Sequence, residues 1–281
     1  MSRILILGAT GLLGVPLANA LRHKLEVITQ GRSKCADYQA DLSCIQEAGN
    51  LLNFVKPDIV INLVALTDVD RCEIFPNEAY RINTKTVENL AECHSANHHF
   101  QLIQISTDQV YDDEGTHDEE DVTLTNIYAY SKYCAEKVAT SIGGVVLRTN
   151  FFGPSQVLGR VSFSDWVIDS FRQKKKIKLF KDVYFSPLSI NTLIKCIERV
   201  IELPQTGVYN LGSHHGMSKQ EFALNLGYCL GLDTSQGKSS SVKDFTFKAY
   251  RPTDMRMDSR RFEKVFDVTL PKLIDEIGNA V

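Results

Sequence analysis

Short apolar runs alternate with amphipathic stretches along the first two thirds of the chain. Aliphatic runs at Arg3–Leu7, Glu26–Thr29, Asp58–Leu63, Gln101–Ser106 and Val145–Arg148 predict strands. Between them, apolar residues recur at three- and four-residue intervals near Leu12–Leu21, Ser43–Val55, Asn77–His94 and Tyr128–Ile142, the period of a helix with one buried face. Strand and helix in strict alternation predict βαβ units, and so a parallel sheet with helices on both faces. The stretch from Asp58 to Val64 is nearly continuously apolar, as a central strand buried on both sides requires.

The pattern changes after about residue 150, where Gly153-Pro154 punctuates the chain. Helices are predicted near Phe163–Gln173, Thr192–Ile201 and Ser218–Leu230, with short strands around Ile177–Phe180, Tyr184–Pro187 and Val208–Leu211. The small, polar segment Gly231–Ser241 reads as a surface loop. This divides the chain into residues 1–150, a nucleotide-type sheet domain, and 151–281, a smaller α/β lobe whose strands partly rejoin the main sheet.

Composition narrows the class. The 281 residues are 43% hydrophobic and 23% charged, the balance of a globular protein rather than a disordered one. A formal net charge of −3 gives no basic excess for nucleic acid. No run of some 18 apolar residues predicts a membrane span, and the N-terminal apolar run leads into glycines rather than a cleavage site. Seven widely spaced cysteines with no CxxC predict free thiols and a reducing, cytoplasmic compartment.

The first candidate chemistry is the run Gly8-Ala9-Thr10-Gly11-Leu12-Leu13-Gly14, set between the first strand and the first helix. A diphosphate reaches backbone N–H groups at a helix N-terminus only where no Cβ intrudes, and the helix dipole adds attraction. A GxxGxxG loop in this setting predicts a dinucleotide site on a Rossmann-type doubly wound sheet. Dinucleotide sites for NAD usually end the second strand on a carboxylate. Here it ends Thr29-Gln30-Gly31-Arg32-Ser33-Lys34, offering cationic and hydroxyl partners for a 2′-phosphate. NADP(H) is therefore the expected cofactor, with NAD the alternative; Asp41 stands where it could reach the adenine edge.

The second is Ile105-Ser106-Thr107-Asp108-Gln109, followed by Asn126-Ile127-Tyr128-Ala129-Tyr130-Ser131-Lys132. Ser106 and Thr107 end a buried strand, where ligands bind in open α/β sheets. Tyr128 and Lys132 are four apart and share a helix face. An ammonium beside a phenol favours phenolate and lets it exchange a proton near neutral pH. These parts suit hydride transfer between a nicotinamide and a carbonyl carbon, with Tyr128 supplying the proton and Thr107 orienting the carbonyl. A rival pair, Tyr133 and Lys137, lies about 140° around the helix, so both pairs cannot face one site.

At these residues the chain resembles an extended short-chain dehydrogenase/reductase, and more narrowly the dTDP-4-dehydrorhamnose reductase family. The likeness takes in the glycine loop, Ile61–Asp70, Tyr80-Arg81-Ile82-Asn83, Ser106-Thr107-Asp108, the Tyr128/Lys132 helix, Arg148–Gly153 and Arg251-Pro252-Thr253-Asp254-Met255-Arg256-Met257-Asp258. It implies catalytic Thr107, Tyr128 and Lys132. It implies cofactor contacts from Gly8, Thr10, Gly11, Leu12, Leu13, Gly14, Arg32, Asp41, Leu42, Leu63, Val64, Ala65 and Asn83, with Tyr128 and Lys132. Substrate contacts would come from Val69, Ser106, Thr107, Gln109, Phe151 and Arg251, with Arg160 and Arg251 as partners for phosphate charge. Such enzymes reduce the 4-keto group of a nucleotide-linked deoxysugar in polysaccharide precursor synthesis; a homodimer is an expected assembly.

Departures from the family pattern fall at Gln109, Ala129, Asn150-Phe151 and a short loop between Tyr111 and Glu119, positions that bear on which sugar is used. Two alternatives stay open: a reductase or epimerase of another nucleotide sugar, or a non-catalytic NADP-binding regulatory subunit, as in a related branch that contains such a subunit of methionine adenosyltransferase. The acidic run Asp112–Asp121 reads as a solvated loop, since its spacing fits no EF-hand. His94 and His98 are four apart but lack an HExxH context, so no metal site is expected. Lys174-Lys175-Lys176 complements a helix C-terminus, and Trp166 with Phe163, Val167 and Phe171 reads as packing.

Overall fold

The computed structural model describes residues 2–96 and 99–279; His98 lies outside them. The first half of the chain runs β1 (Arg3–Leu7), α1 (Gly14–Leu21), β2 (Glu26–Gly31), β3 (Tyr38–Gln39), α2 (Ile45–Val55), β4 (Ile59–Asn62), α3 (Val69–Ile74), α4 (Pro76–Ala79), a π-helical turn (Tyr80–Lys85), α5 (Thr86–Ala96), β5 (Gln101–Thr107), a 3₁₀ turn (Asp108–Val110), β6 (Thr116–His117), α6 (Ile127–Ser141) and β7 (Val145–Thr149). The second half continues β8 (Phe151–Phe152), α7 (Phe163–Arg172), β9 (Ile177–Phe180), β10 (Tyr184–Phe185), β11 (Leu188–Ser189), α8 (Ile190–Glu202), β12 (Gly207–Leu211), β13 (Met217–Ser218), α9 (Lys219–Cys229), β14 (Gly237–Ser240), β15 (Asp254–Met257), α10 (Arg260–Phe266) and α11 (Leu273–Asn279).

A seven-stranded sheet has the order β12-β7-β5-β4-β1-β2-β3. Strand β1 pairs in parallel with both β2 and β4, β2 with β3, and β4 with β5. The order reverses between β1 and β4, and the carboxyl ends of strands at such a switch point form the usual ligand crevice of an open α/β sheet. Leu5 and Leu7 of β1 join the core made with Ala48, Leu51, Leu52 and Val55 of α2, Val87 and Leu90 of α5 and Ala135 and Ala139 of α6. Ile4 and Ile6, equally buried, alternate to the other face of the sheet, as strand geometry demands.

The chain divides into two compact units: Met1–Thr107 with Asn126–Leu147 and Cys196–Tyr209, and Asp108–Thr125 with Arg148–Lys195 and Asn210–Val281. It thus passes between the units several times; the sequence pattern suggests a boundary at 150 with later strands rejoining the main sheet, and Cys196–Tyr209 belongs to the first unit. The second unit carries a four-stranded sheet, β13-β10-β15-β6, over a core rich in phenylalanine. There the ring of Phe222 meets those of Phe152, Phe163 and Phe185.

Three local expectations change. The expected single helix over Asn77–His94 is α4, a π-helical turn and α5 in succession. The expected loop at Gly231–Ser241 contains β14, which pairs in parallel with β9. A Cβ on Gly237 would stand 2.9 Å from Leu179 and 3.3 Å from the Phe171 ring, so a small residue is what lets this edge close on the core. The acidic run is ordered: its Thr116–His117 pairs with β15, and Glu119 is buried, accepting from the Asn210 amide at 2.9 Å and pairing with Arg261.

Candidate active site

The glycine loop leaves β1 at Gly8, whose φ of +72° is the left-handed region that glycine adopts without penalty. A Cβ there would lie 3.0 Å from the Val64 amide nitrogen, so the loop touches the Leu63–Val64 segment that leaves β4. At Gly14 a Cβ would stand 2.6 Å from the Ala9 backbone, which is why α1 can start so close to the strand end. No side chain caps α1 and no carboxylate sits in its first turn, an arrangement suited to an anion at its amides. Thr10 adjoins Gly31 at the end of β2, next to exposed Arg32. The residues flanking the loop fit a dinucleotide diphosphate: glycines where a Cβ would collide, and a helix start with no competing negative charge.

Other expected cofactor residues divide into two groups. Leu63, Val64 and Ala65 are half-buried at the crevice, with Val64 N bonded to Asn62 Oδ1 at 3.1 Å. Leu12 is half-buried and Leu13 buried in the loop. Leu42, by contrast, is a core residue, 4% exposed, with its carbonyl taken by Asn89 Nδ2. Asp41 is exposed and caps its own turn: the Ser43 hydroxyl and amide bond its carboxylate and hold its pKa low, assisted by Arg81. Just before β3, Asp37 is committed to Thr29 and Arg22.

Helix α6 begins at Asn126, whose side chain accepts from the Ala129 amide at 2.8 Å, while Glu73 takes the Ile127 amide. Its Tyr128 and Lys132 lie on one buried face, 8% and 3% exposed, and α6 packs against β5. Lys132 Nζ donates to Ile105 O at 2.7 Å; the next strand residues are Ser106 and Thr107, both buried. Burial lowers the Lys132 pKa from 10.5 to about 8, opposed by the charge of Glu136. Val69 packs beside Tyr128, with Cys72 and Ala79. The rival pair lies on the outer face of α6, where exposed Lys137 stacks over the Tyr133 ring at 4.5 Å.

Asn83, expected to contact cofactor, is a clamp. From the π-helical turn its side chain accepts from Leu66 N at 2.7 Å and donates to Leu66 O at 3.2 Å and Ser131 Oγ at 2.9 Å. The Ser131 hydroxyl in turn donates to the Tyr128 carbonyl at 2.8 Å. Sequence reasoning passed over the polar chain beneath the site: Asn62 Nδ2 donates to Gln104 Oε1, Gln104 Nε2 donates to Ile105 O, and Ser106 Oγ donates to Glu136 Oε1 at 2.5 Å. The clue to Glu136 was its spacing, one turn beyond Lys132 on the same face.

The remaining expected substrate residues belong to the second unit. Gln109 sits in the 3₁₀ turn, Phe151 is half-buried in β8, and Arg160 is exposed. Arg251 stacks over the Phe247 ring at 4.6 Å and lines a cavity of about 400 Å³ with Phe245, Phe247, Lys248 and Tyr250. Lys219 at the start of α9 has its pKa lowered by burial, with Asp108 acting to raise it and Arg251 to lower it further. Arg148 is buried as a structural group, donating to Tyr111 Oη and Glu119 O, each at 2.7 Å. Among the described residues no cluster of His, Cys, Asp or Glu is placed to hold a metal ion, and no helix is long and apolar enough to cross a membrane.

The RmlD substrate binding domain family model matches residues 1–281. A dTDP-4-dehydrorhamnose reductase of Aggregatibacter actinomycetemcomitans is 30% identical, over 95% of this chain and 94% of that protein. The probable low-salt glycan biosynthesis reductase Agl14 of Haloferax volcanii is 25% identical, over 97% and 95%. Among solved structures, a hypothetical dTDP-4-dehydrorhamnose reductase from Sulfolobus tokodaii shares 30% identity at a TM-score of 0.86, covering 98% of each chain. The dTDP-4-dehydrorhamnose reductase of Bacillus anthracis, in complex with NADP, shares the fold at a TM-score of 0.91 and 22% identity, covering 99% of this chain and 98% of that one. With a doubly wound sheet, a glycine loop at its switch point and a family match from first residue to last, the chain belongs to the RmlD substrate binding domain family.

Proposed function

We propose that the protein is an NADP(H)-dependent reductase of the 4-keto group of a nucleotide-activated deoxysugar. The observation that carries this reading is the buried Tyr128/Lys132 face of α6, docked on the strand that ends in Ser106-Thr107. A dTDP-4-dehydrorhamnose reductase and a probable glycan biosynthesis reductase among the relatives support it. The glycine loop and the start of α1 would hold the cofactor diphosphate, and Arg32 would meet a 2′-phosphate. The nicotinamide, when bound, supplies the hydride that reduces the carbonyl carbon. Tyr128 gives its proton to the carbonyl oxygen, so the C=O becomes CH–OH, and Thr107 orients that oxygen by a hydrogen bond. The Lys132 ammonium stabilises the phenolate left behind. Residues of the second unit, Arg251 and Lys219 among them, would recognise the nucleotide diphosphate by charge.

Turnover is tested by following NADPH absorbance with dTDP-4-keto-6-deoxyhexoses, and product NMR separates reduction from epimerisation. Tyr128→Phe is expected to lower kcat by about 10²–10⁴-fold, with the Kd for NADPH nearly unchanged. A wild-type protein that binds NADPH but turns over no nucleotide ketosugar would contradict the proposal and favour the regulatory alternative.

A further inference from the structure

Glu136 is a carboxylate with no exposed surface, in the middle of a helix, one turn beyond Lys132. A buried carboxylate is costly unless its charge is compensated. It accepts from the hydroxyl of Ser106 at 2.5 Å, and Ser106 stands between Ile105, whose carbonyl takes the Lys132 ammonium, and Thr107. Two consecutive residues of β5 are thereby joined to two consecutive turns of α6, through the face that also carries Tyr128.

We propose that Glu136 is a positioning residue for proton transfer: it keeps Lys132 an ammonium inside the core and, through Ser106, registers the Tyr128 face of α6 against β5. This rests on the functional reading above. The surroundings single out Glu136 for the task. Strand β5 bears no ionisable side chain. On the π-helical turn and α5, Tyr80 and Lys85 engage Glu88, and Arg81 engages Asp41. On α3 and α4, Arg71 pairs with Glu78, and Glu73 takes the Ile127 amide. The Cys72 and Cys93 thiols are kept neutral by burial, which raises both, and burial likewise lowers His94 toward its neutral form. Glu136 is the charge that acts on Lys132 against its desolvation. Without it, desolvation acts unopposed, and the ammonium loses its proton at a lower pH.

The test is the titration of Lys132 in the full-length protein, read from ¹³C-labelled lysine by NMR and assigned by the signal lost in Lys132→Met. In Glu136→Gln the midpoint is expected to fall by about one pH unit or more, and the alkaline limb of kcat to move down with it. Glu136→Asp, which keeps the charge, should restore most of the midpoint. Ser106→Ala, which leaves the helix sequence intact and removes the bond that holds the carboxylate in place, should move it in the same direction as Glu136→Gln by a smaller amount. An unmoved midpoint in Glu136→Gln, or in Ser106→Ala should Glu136→Gln fail to fold, overturns the inference. Because the titration needs no turnover, an inactive wild type would count against the functional reading alone.

Discussion

Lys132 costs the fold something. Its pKa is about 8 in the folded chain against 10.5 for the ordinary side chain, so the unfolded chain binds more protons between those values. Stability therefore rises as pH climbs through that window, and below pH 8 the full penalty applies, on the order of 3 kcal/mol. Lys132→Met should remove both the penalty and the activity, since Ile105 O keeps its bond from Gln104. The expected result is a higher Tm than wild type at pH 7, with the gain shrinking toward pH 10.5, measured by thermal melts across that range. Gly14 is the second residue with a sharp expectation. A Cβ 2.6 Å from the Ala9 backbone cannot be accommodated by rotating a side chain, so Gly14→Ala should cost about 1–3 kcal/mol in urea unfolding and weaken NADPH binding. Both residues were legible in the sequence because their requirement is local: one glycine at a strand-to-helix turn, one lysine a turn from a tyrosine. The core packing of the Leu42 side chain was not, since nothing local marks which leucines the core takes up.

At the scale of elements, the π-helical turn Tyr80–Lys85 breaks what the hydrophobic period reads as one helix. Such turns insert an extra residue and re-aim side chains, and are frequent at functional sites. Here it carries Asn83, whose amide ties the Leu66 backbone to Ser131 on α6. Asn83→Ala leaves buried polar groups without those bonds. It should cost about 2 kcal/mol or more, seen as a lower urea midpoint, and should lower kcat through misplacement of α6. A stable, fully active variant would show that the clamp is dispensable. The resemblance marked Asn83, but its bond to Ser131 could not be read from the chain, because a bond across 48 positions is set by packing and not by spacing. Strand β14 was missed for a related reason: Gly237-Lys-Ser-Ser has a loop's composition and becomes a strand only because β9 offers its edge.

At the scale of the molecule, each compact unit is assembled from separated segments. A fragment of residues 1–150 would lack Cys196–Tyr209 of the first unit. It would also carry Tyr111 and Glu119 without Asn210, which bonds both. It is expected to show no cooperative melt by circular dichroism, while the full chain melts cooperatively; a fragment that folds alone would contradict this interleaving. The alternation of strand and helix, the glycine loop and the Tyr128/Lys132 spacing were readable from the chain in isolation, because each repeats or recurs within a few residues, where backbone sterics and helical period act. The partnership of Ser106 with Glu136, the clamp of Asn83 and the pairing of β6 with β15 emerged only on folding, because they join residues 17 to about 140 positions apart. Such contacts depend on which surfaces the core brings together, and no short-range pattern encodes that.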